Sequence, residues 1–526
     1  MREKGFRTIC VLAVLLALGL GSMNLLLGDL NQDEGWYLYA AKLVAGGELP
    51  YRDFAFTQAP VMPFVYTVAM PLVRKWGVAG GRAFTMMLGL LGAGLAAWTA
   101  YRLIPVEKKI AALTTFILIT ANCYHSYYST VVKTYALCAF FLVAGFLMLT
   151  WVESRRGVVA TVFAGVFMAL AAGTRISAVV CLPIVLLWLL LKYRRKSPFV
   201  WVGFGVGGII AGAIIFLPLC LMTPDSFWFF NVGYHSSRAT SSGLALLMYK
   251  AGFVSRWAQG YSVAFFLAVT LGIFLLSRFP RWRRMAETTG DVSAATGPLW
   301  LSVLAMSTVH FMASFPYEDY QVALFPILAI ALSVGITQML TALACDMKIS
   351  GLFLSGLLIV SAIAAFSSPI NQNWMVLGRD RIWWRIKDKP DILKLREVGL
   401  WLREVAGDEK KLITQDIYLA VESGLDVPSG MEMGPFCYYP EVSDERAECL
   451  NVVNRAKMES ILNEFAAPVA AVSAYGFAID SPAVTELDPL EQHRLHVLLE
   501  NRYELVREIP NFGQGHTPLS LYRLKK

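Results

Sequence analysis

Apolar positions along the 526-residue chain gather in blocks. Between Arg7 and Phe366 the blocks run for roughly 15–24 residues, the length that crosses a bilayer as a helix. The candidate spans are 8–28, 61–73, 82–102, 109–122, 131–151, 158–173, 176–191, 199–222, 258–277, 298–315, 320–344 and 350–367. Beyond residue 370 the pattern is that of a soluble domain. A helix is expected at about Ile392–Val405, a strand at Lys411–Thr414, a helix near Ile417–Ser423, and strands at Pro468–Ser473, Tyr503–Ile509 and Leu519–Leu524. Strands alternating with helices predict a small α/β fold. The chain thus reads as an all-α polytopic membrane region, 1–370, of about 11–13 transmembrane helices, followed by an α/β domain, 371–526.

Composition agrees and removes one alternative. With 56% hydrophobic and 16% charged residues the chain is far from an average soluble protein. The net charge of +8 requires no nucleic acid, because most of the excess sits in short basic clusters beside apolar blocks, the pattern that sets membrane orientation. The run Lys192-Tyr193-Arg194-Arg195-Lys196 is the strongest, followed by Arg278 with Arg281, Arg283 and Arg284, and by Arg155-Arg156. With these and the N-terminus inside, 29–60, 123–131, 223–257 and everything after 367 lie outside. The protein is then a multi-pass protein of the cytoplasmic (inner) membrane with its C-terminal domain extracytoplasmic. Ile9–Leu27 reads as a retained signal anchor, since no small-residue cleavage site follows it. Twelve crossings contradict the loop charges, so either one block returns without crossing or a further crossing exists; 61–73 and 109–122 are the short blocks. Trp383-Trp384-Arg385 suits a membrane interface. Cys437 and Cys449 share the outer domain, and a disulfide between them is left open by spacing alone.

One polar stretch, Asn31–Pro60, stands between the first two apolar blocks. Asp33 and Glu34 open a short helix that Gly46-Gly47 ends, and Tyr51, Arg52 and Gln58 follow. Asn31 and Glu34 have capping-box spacing, and Trp36, Tyr37 and Tyr39 would suit a helix lying in the interface. Those structural roles could account for the stretch by itself. On the derived topology, however, a set of polar side chains converges on the same face: Arg52, Lys133, Arg175, His235, Arg238, Tyr317, Glu318, Asp319 and Tyr320. A charge within an apolar block is costly and by default functional, which singles out Lys133. Its anion would be a substrate phosphate, or Glu318 or Asp319 in the empty protein. The six histidines are scattered, and only His493 and His496 stand close, as on a solvated helix face. No cofactor is required by the sequence, and a divalent metal is compatible with the acids without being indicated. The Gly-rich run Val202–Gly212 lies in a span and reads as close helix packing.

The order DExxY, then GGELPYRDF, then a QAP element entering a span resembles the first outer loop of GT-C glycosyltransferases. It is most similar to the bacterial branch related to protein O-mannosyltransferases and lipid A aminoarabinose transferases. The likeness covers roughly 1–370 and is strongest over 29–60. It implies an enzyme that moves a sugar (hexosyl or pentosyl) from a polyprenyl-phosphate donor to a lipid, glycan or protein hydroxyl at the outer membrane face. The family's loop-one aspartate maps to Asp33 as general base, its neighbouring acid to Glu34, and its aromatic to Tyr37. Arg175 matches a family basic position after Gly-Thr. Gln58 stands where the family often has a basic residue. Lys133 stands near a common second acid, which speaks for phosphate neutralisation and against a two-carboxylate metal site. Tyr51, Arg52, Gln58, Lys133, Arg175, His235, Arg238, Tyr317, Glu318 and Tyr320 complete the expected substrate set. Two other classes compete: a lipid-linked sugar transporter or flippase, and a non-catalytic envelope-polysaccharide assembly protein. A transporter should show duplicated halves, and the sequence shows none.

The topology has a direct check. Engineered cysteines at 240 and 440 are expected to react with an impermeant reagent added outside, and those at 195 and 282 are not. Outside labelling at 195 would invert the arrangement and place Asp33 on the inner face.

Overall fold

The structure, a computed structural model, describes residues 3–238, 242–288, 292–343, 347–367 and 389–525. Trp383, Trp384 and Arg385 lie outside the described residues. Among the described residues eighteen helices of the N-terminal region set the scaffold. They begin with α1 Glu3–Leu27, α2 Gln32–Ala45, α3 Val61–Tyr66, α4 Met70–Trp76, α5 Val78–Leu103 and α6 Lys108–Thr120. Next come α7 Cys123–Tyr128, α8 Thr134–Leu149, α9 Gly157–Thr174, α10 Cys181–Tyr193, α11 Pro198–Met222 and α12 Pro224–Trp228. The last six are α13 Tyr234–Ser236, α14 Gly243–Gly260, α15 Ser262–Thr288, α16 Val292–Met312, α17 Phe325–Ala342 and α18 Met347–Phe366.

Among the described residues seven helices are long and apolar enough to cross a membrane, or up to eight if the bent pair α14–α15 is one span. The protein is therefore a multi-pass membrane protein. Other expected spans are shorter or broken. The 131–151 block yields the 16-residue α8, and the 109–122 block the 13-residue α6. The 320–344 block starts with a 3-10 turn, Glu318–Ala323, before α17. The apolar part of α15 ends at Ser277, as expected, and the helix itself continues to Thr288.

The 61–73 block does not form one continuous helix. Pro63 and Pro71 accompany its break into α3, a 3-10 turn and α4, and each lacks the N–H that a continuous helix would use. Both ends stay at one face: Val61 packs against Gly173 at the end of α9, and Gly77 packs against Glu422 of the C-terminal region.

The C-terminal region is α/β. A four-stranded sheet has the order β1-β2-β6-β5, with β1 Leu412–Thr414 parallel to β2 Val469–Val472, and β6 Thr517–Leu524 antiparallel to both β2 and β5 Tyr503–Phe512. A separate two-stranded ribbon joins β3 Ile479–Asp480 to β4 Thr485–Glu486. Helices Asp391–Ala406 and Ile417–Ser423 lie where the pattern predicts them, whereas Asp444–Leu450, Arg455–Glu464 and Pro489–Arg502 are additions. His493 and His496 sit on the last of these. Cys437 and Cys449 are free thiols, the first buried and the second exposed.

This region seats directly on α2. A Cβ at Gly35 would stand 2.2 Å from the Tyr418 amide nitrogen, so the helix backbones touch where only glycine fits. Around that contact the Gln32 N–H donates to Gln514 Oε1 (2.9 Å), Lys42 pairs with Asp426 (2.7 Å), and the Val78 N–H donates to Glu422 Oε2 (2.9 Å). Gly35→Ala is therefore expected to cost about 1–3 kcal/mol, the usual penalty of overpacking. The measurement is a lower unfolding midpoint of the purified full chain, with the region after residue 389 becoming protease-sensitive. An unchanged midpoint would mean the contact relaxes freely.

Candidate active site

The site starts from how α2 is anchored. Asn31 caps the helix by accepting the Asp33 N–H (3.1 Å), while Glu34 Oε1 accepts the Asn31 N–H (3.0 Å), so the expected capping box forms. Glu34 does more than cap. Wholly buried Arg82, in the first turns of α5, donates Nε to Glu34 Oε2 (2.8 Å) and Nη2 to Oε1 (2.5 Å). The Val132 N–H donates to Oε2 as well (3.2 Å). Four donors fill the roughly four acceptor positions of the carboxylate. The same guanidinium takes up the carbonyls of Gly28 (3.0 Å) and Asp29 (2.8 Å) just past the end of α1, where helix carbonyls lack intrahelical partners. Glu34 therefore turns away from the cleft, which corrects the expectation of two acids facing a substrate side by side.

Asp33, one residue earlier, points about 100° around the helix and remains 27% exposed at its side chain. Its Oδ1 accepts the Trp36 indole N–H (3.2 Å), and its Oδ2 lies 3.2 Å from Lys133 Nζ. Lys133 is buried and also contacts Asp319 Oδ2 (3.0 Å), which accepts the Tyr135 hydroxyl (2.8 Å). One ammonium thus bridges two carboxylates. Lys133 heads α8 as its N-cap in an extended conformation (φ −139°, ψ 168°) and does not lie within the helix. Asp319 Oδ1 is buried with no hydrogen-bond partner among the described residues.

Arg175 follows α9 and is buried between two rings, 4.7 Å from the Tyr135 centroid and 4.4 Å from that of Tyr320. Its Nη1 donates to Thr134 Oγ1 (3.1 Å), its Nε has no partner, and no carboxylate lies within ion-pair distance among the described residues. Arg238 lies over the Tyr234 ring at 5.4 Å. His235 Nε2 donates to the Thr57 carbonyl (2.9 Å), and burial pushes its pKa down to about 4, keeping the ring neutral. Tyr37 stacks on Trp36 at 3.8 Å, and burial raises its phenol. Glu318 pairs with Arg256 of α14 (3.2 Å), and the Tyr317 ring stands 5.6 Å from Tyr320.

Three expected members are placed elsewhere. Arg52 is exposed and paired with Asp53 (2.7 Å). Tyr51 is fully buried with φ +68°, and its hydroxyl donates to the Gln58 carbonyl (2.5 Å). Tyr51 and Gln58 therefore brace the loop from within. Sequence reasoning passed over Arg82, Tyr135 and Arg256. The signal for Arg82 was present, a charge in the first turns of an apolar span; Tyr135 carried none. Among the described residues no group of three or more His, Cys, Asp or Glu is placed to hold a metal.

No family model and no curated protein matches the sequence. Solved structures do. The chain is similar to ArnT from Cupriavidus metallidurans, solved bound to undecaprenyl phosphate, at 14% identity and a TM-score of 0.58, covering 97% of each chain. It is also similar to an Archaeoglobus fulgidus oligosaccharyltransferase, solved in complex with Zn and sulfate, at 12% identity and a TM-score of 0.53. That match covers 96% of this chain and 73% of the other. The likeness shows a shared fold, a helical membrane region followed by an α/β region, as the sequence pattern predicts.

The buried pair predicts an asymmetry. Arg82→Met leaves the Glu34 charge unpaired and is expected to cost about 3–5 kcal/mol, with turnover falling as α2 loses its anchor. Arg82→Met combined with Glu34→Met removes both charges and should recover much of the stability. The check is thermal unfolding of each variant. If the double variant is no more stable than Arg82→Met, the pair is not the anchor.

Proposed function

We propose that the chain transfers a sugar from a polyprenyl-phosphate carrier to an acceptor hydroxyl, with Asp33 as the general base. The observation that carries this reading is the cluster at one membrane face in which a part-exposed carboxylate, Asp33, shares Lys133 with buried Asp319. Lys133, Arg175 and Arg238 supply three positive charges against the two of Asp33 and Asp319, since Glu318 is matched by Arg256. The surplus of one equals the single negative charge of a phosphodiester. Arg175 suits that anion because its buried Nε lacks an acceptor, and a phosphate oxygen would supply one in a geometry that guanidinium favours.

In the proposed step Asp33 takes the proton of the acceptor hydroxyl. The hydroxyl oxygen bonds to the anomeric carbon as the bond from that carbon to the phosphate oxygen breaks. The polyprenyl phosphate leaves with its added charge held by Lys133, Arg175 and Arg238. A single in-line displacement inverts the anomeric centre. A positioned base supplies about 10²–10⁴-fold, and fixed cations stabilise the leaving phosphate. The donor set does not suit a divalent ion, because the Lys133 ammonium already fills the space shared by the two carboxylates, and no step is routed through a metal. His235 and Tyr37 would line the sugar side, and Tyr317 with Tyr320 the opposite wall. Glu34 is assigned to holding α2 and has no part in proton transfer.

Two variants separate the roles. Asp33→Asn keeps the shape and should lower turnover by about 10²-fold or more in an assay with a panel of polyprenyl-phosphate sugars. Retention of more than about a tenth, far short of general-base scale, would make Asp33 a cap alone. Arg175→Gln orphans no carboxylate, so its fold should persist. It should raise KM for the donor about ten- to a hundredfold, the scale of one hydrogen bond to a charged group. An unchanged donor KM with impaired acceptor use would move Arg175 to the acceptor side.

A further inference from the structure

A second cavity lies at the opposite face of the bundle, where α5, α8 and α10 end and α16 begins. Its volume is about 260 Å³, room for several waters at about 30 Å³ each. It is separated from Asp33 by the length of α8, about 24 Å at 1.5 Å per residue. Arg102, Thr150 and Lys192 supply its polar wall, and Phe146, Leu149 and Leu299 its apolar one. Arg102 is held in place without being neutralised. Its Nε and Nη2 donate to Thr150 Oγ1 (3.3 Å) and the Thr150 carbonyl (3.2 Å), and its guanidinium lies 4.6 Å from the Trp151 ring. No carboxylate lies within ion-pair distance of Arg102 among the described residues. Lys192 stands 3.4 Å from Glu153, the one acid in the lining among the described residues, and that acid also accepts the Tyr193 hydroxyl (2.9 Å).

We infer that this cavity binds the phosphodiester headgroup of an anionic glycerophospholipid. Charge sets the sign of the ligand, since among the described lining residues Arg102 and Lys192 outnumber Glu153, and Arg155, Arg156, Arg194, Arg195 and Lys196 follow within a few residues along the chain. Depth sets the kind. Trp151 and Trp188 flank the cavity, and such rings sit at headgroup level, where basic pockets between spans take lipid phosphates. The apolar wall separates a lipid from a free anion. Phe146, Leu149 and Leu299 offer inorganic phosphate nothing, but they cover the first methylenes of an acyl chain. A lipid held here would tie the ends of α5, α8 and α10 to α16 on the face away from the chemistry.

The test uses the full chain in phosphatidylcholine nanodiscs with increasing phosphatidylglycerol, followed by extraction and native mass spectrometry to count retained lipid. Wild type should retain phosphatidylglycerol in preference to phosphatidylcholine. Arg102→Ala with Lys192→Ala should weaken retention by about fivefold per cation, the effect of one basic residue near an anionic surface. Glu153→Gln, which removes the competing acid, should strengthen it by about as much. Soluble glycerol 3-phosphate should not displace the lipid. Equal retention by the double variant overturns the assignment, as does displacement by glycerol 3-phosphate, which would mark a site for soluble anions. Should the double variant fail to fold, Glu153→Gln decides alone, and no gain in retention overturns the inference.

Discussion

The contact on which the rest depends is the buried ion pair of Glu34 and Arg82. A carboxylate with four donors has no rotational freedom left, and its guanidinium partner also gathers the carbonyls that follow α1. One interaction therefore joins the end of α1, the start of α2, the start of α5 and the residues just before α8. Burying both charges is expensive unless every lone pair and proton finds a partner, and here the carboxylate's are all matched. The result is a fixed rotation of α2. Because successive residues on a helix diverge by about 100°, fixing Glu34 inward sends Asp33 outward to the cleft.

The second restraint on α2 comes from the other side. The C-terminal region lies on it through the glycine contact at Gly35 and through Lys42 with Asp426. The short helix is thus held between the membrane bundle and the α/β region. A 14-residue helix would be marginal alone in water, so its order is tertiary in origin. That order makes Asp33 a positioned group, which proton transfer requires.

Charge at the cleft follows from the same economy of partners. Lys133 would be costly unpaired at the edge of an apolar helix, and Asp33 with Asp319 stabilise it while leaving Asp33 open to solvent on one side. Arg175 is stabilised differently, by two aromatic faces, since guanidinium is weakly hydrated and stacks on rings. An aromatic sandwich lowers the cost of burial without using up the charge. Such a cation stays available to an anion, whereas one already paired to a carboxylate must exchange partners.

Much of this was legible in the sequence. The length of apolar blocks required a membrane bundle, and the apolar strand-like runs with intervening helices required an α/β region after it. The capping-box spacing placed α2 to the residue, and adjacent acids beside convergent cations marked the face. These features are local, so a linear chain displays them. The roles of the two acids were decided only by the fold. Glu34 and Arg82 are 48 positions apart, as no pattern within a helix could show, and their pairing reversed the expectation that both acids meet the substrate. Likewise Asp319 reaches Lys133 across 186 positions, and Arg52, basic and adjacent in sequence, turned out to pair with its neighbour. Local order is encoded by spacing along the chain. Which charge faces water and which is consumed in the interior depends on long-range packing, because a buried charge persists only where distant residues complete its hydrogen bonds.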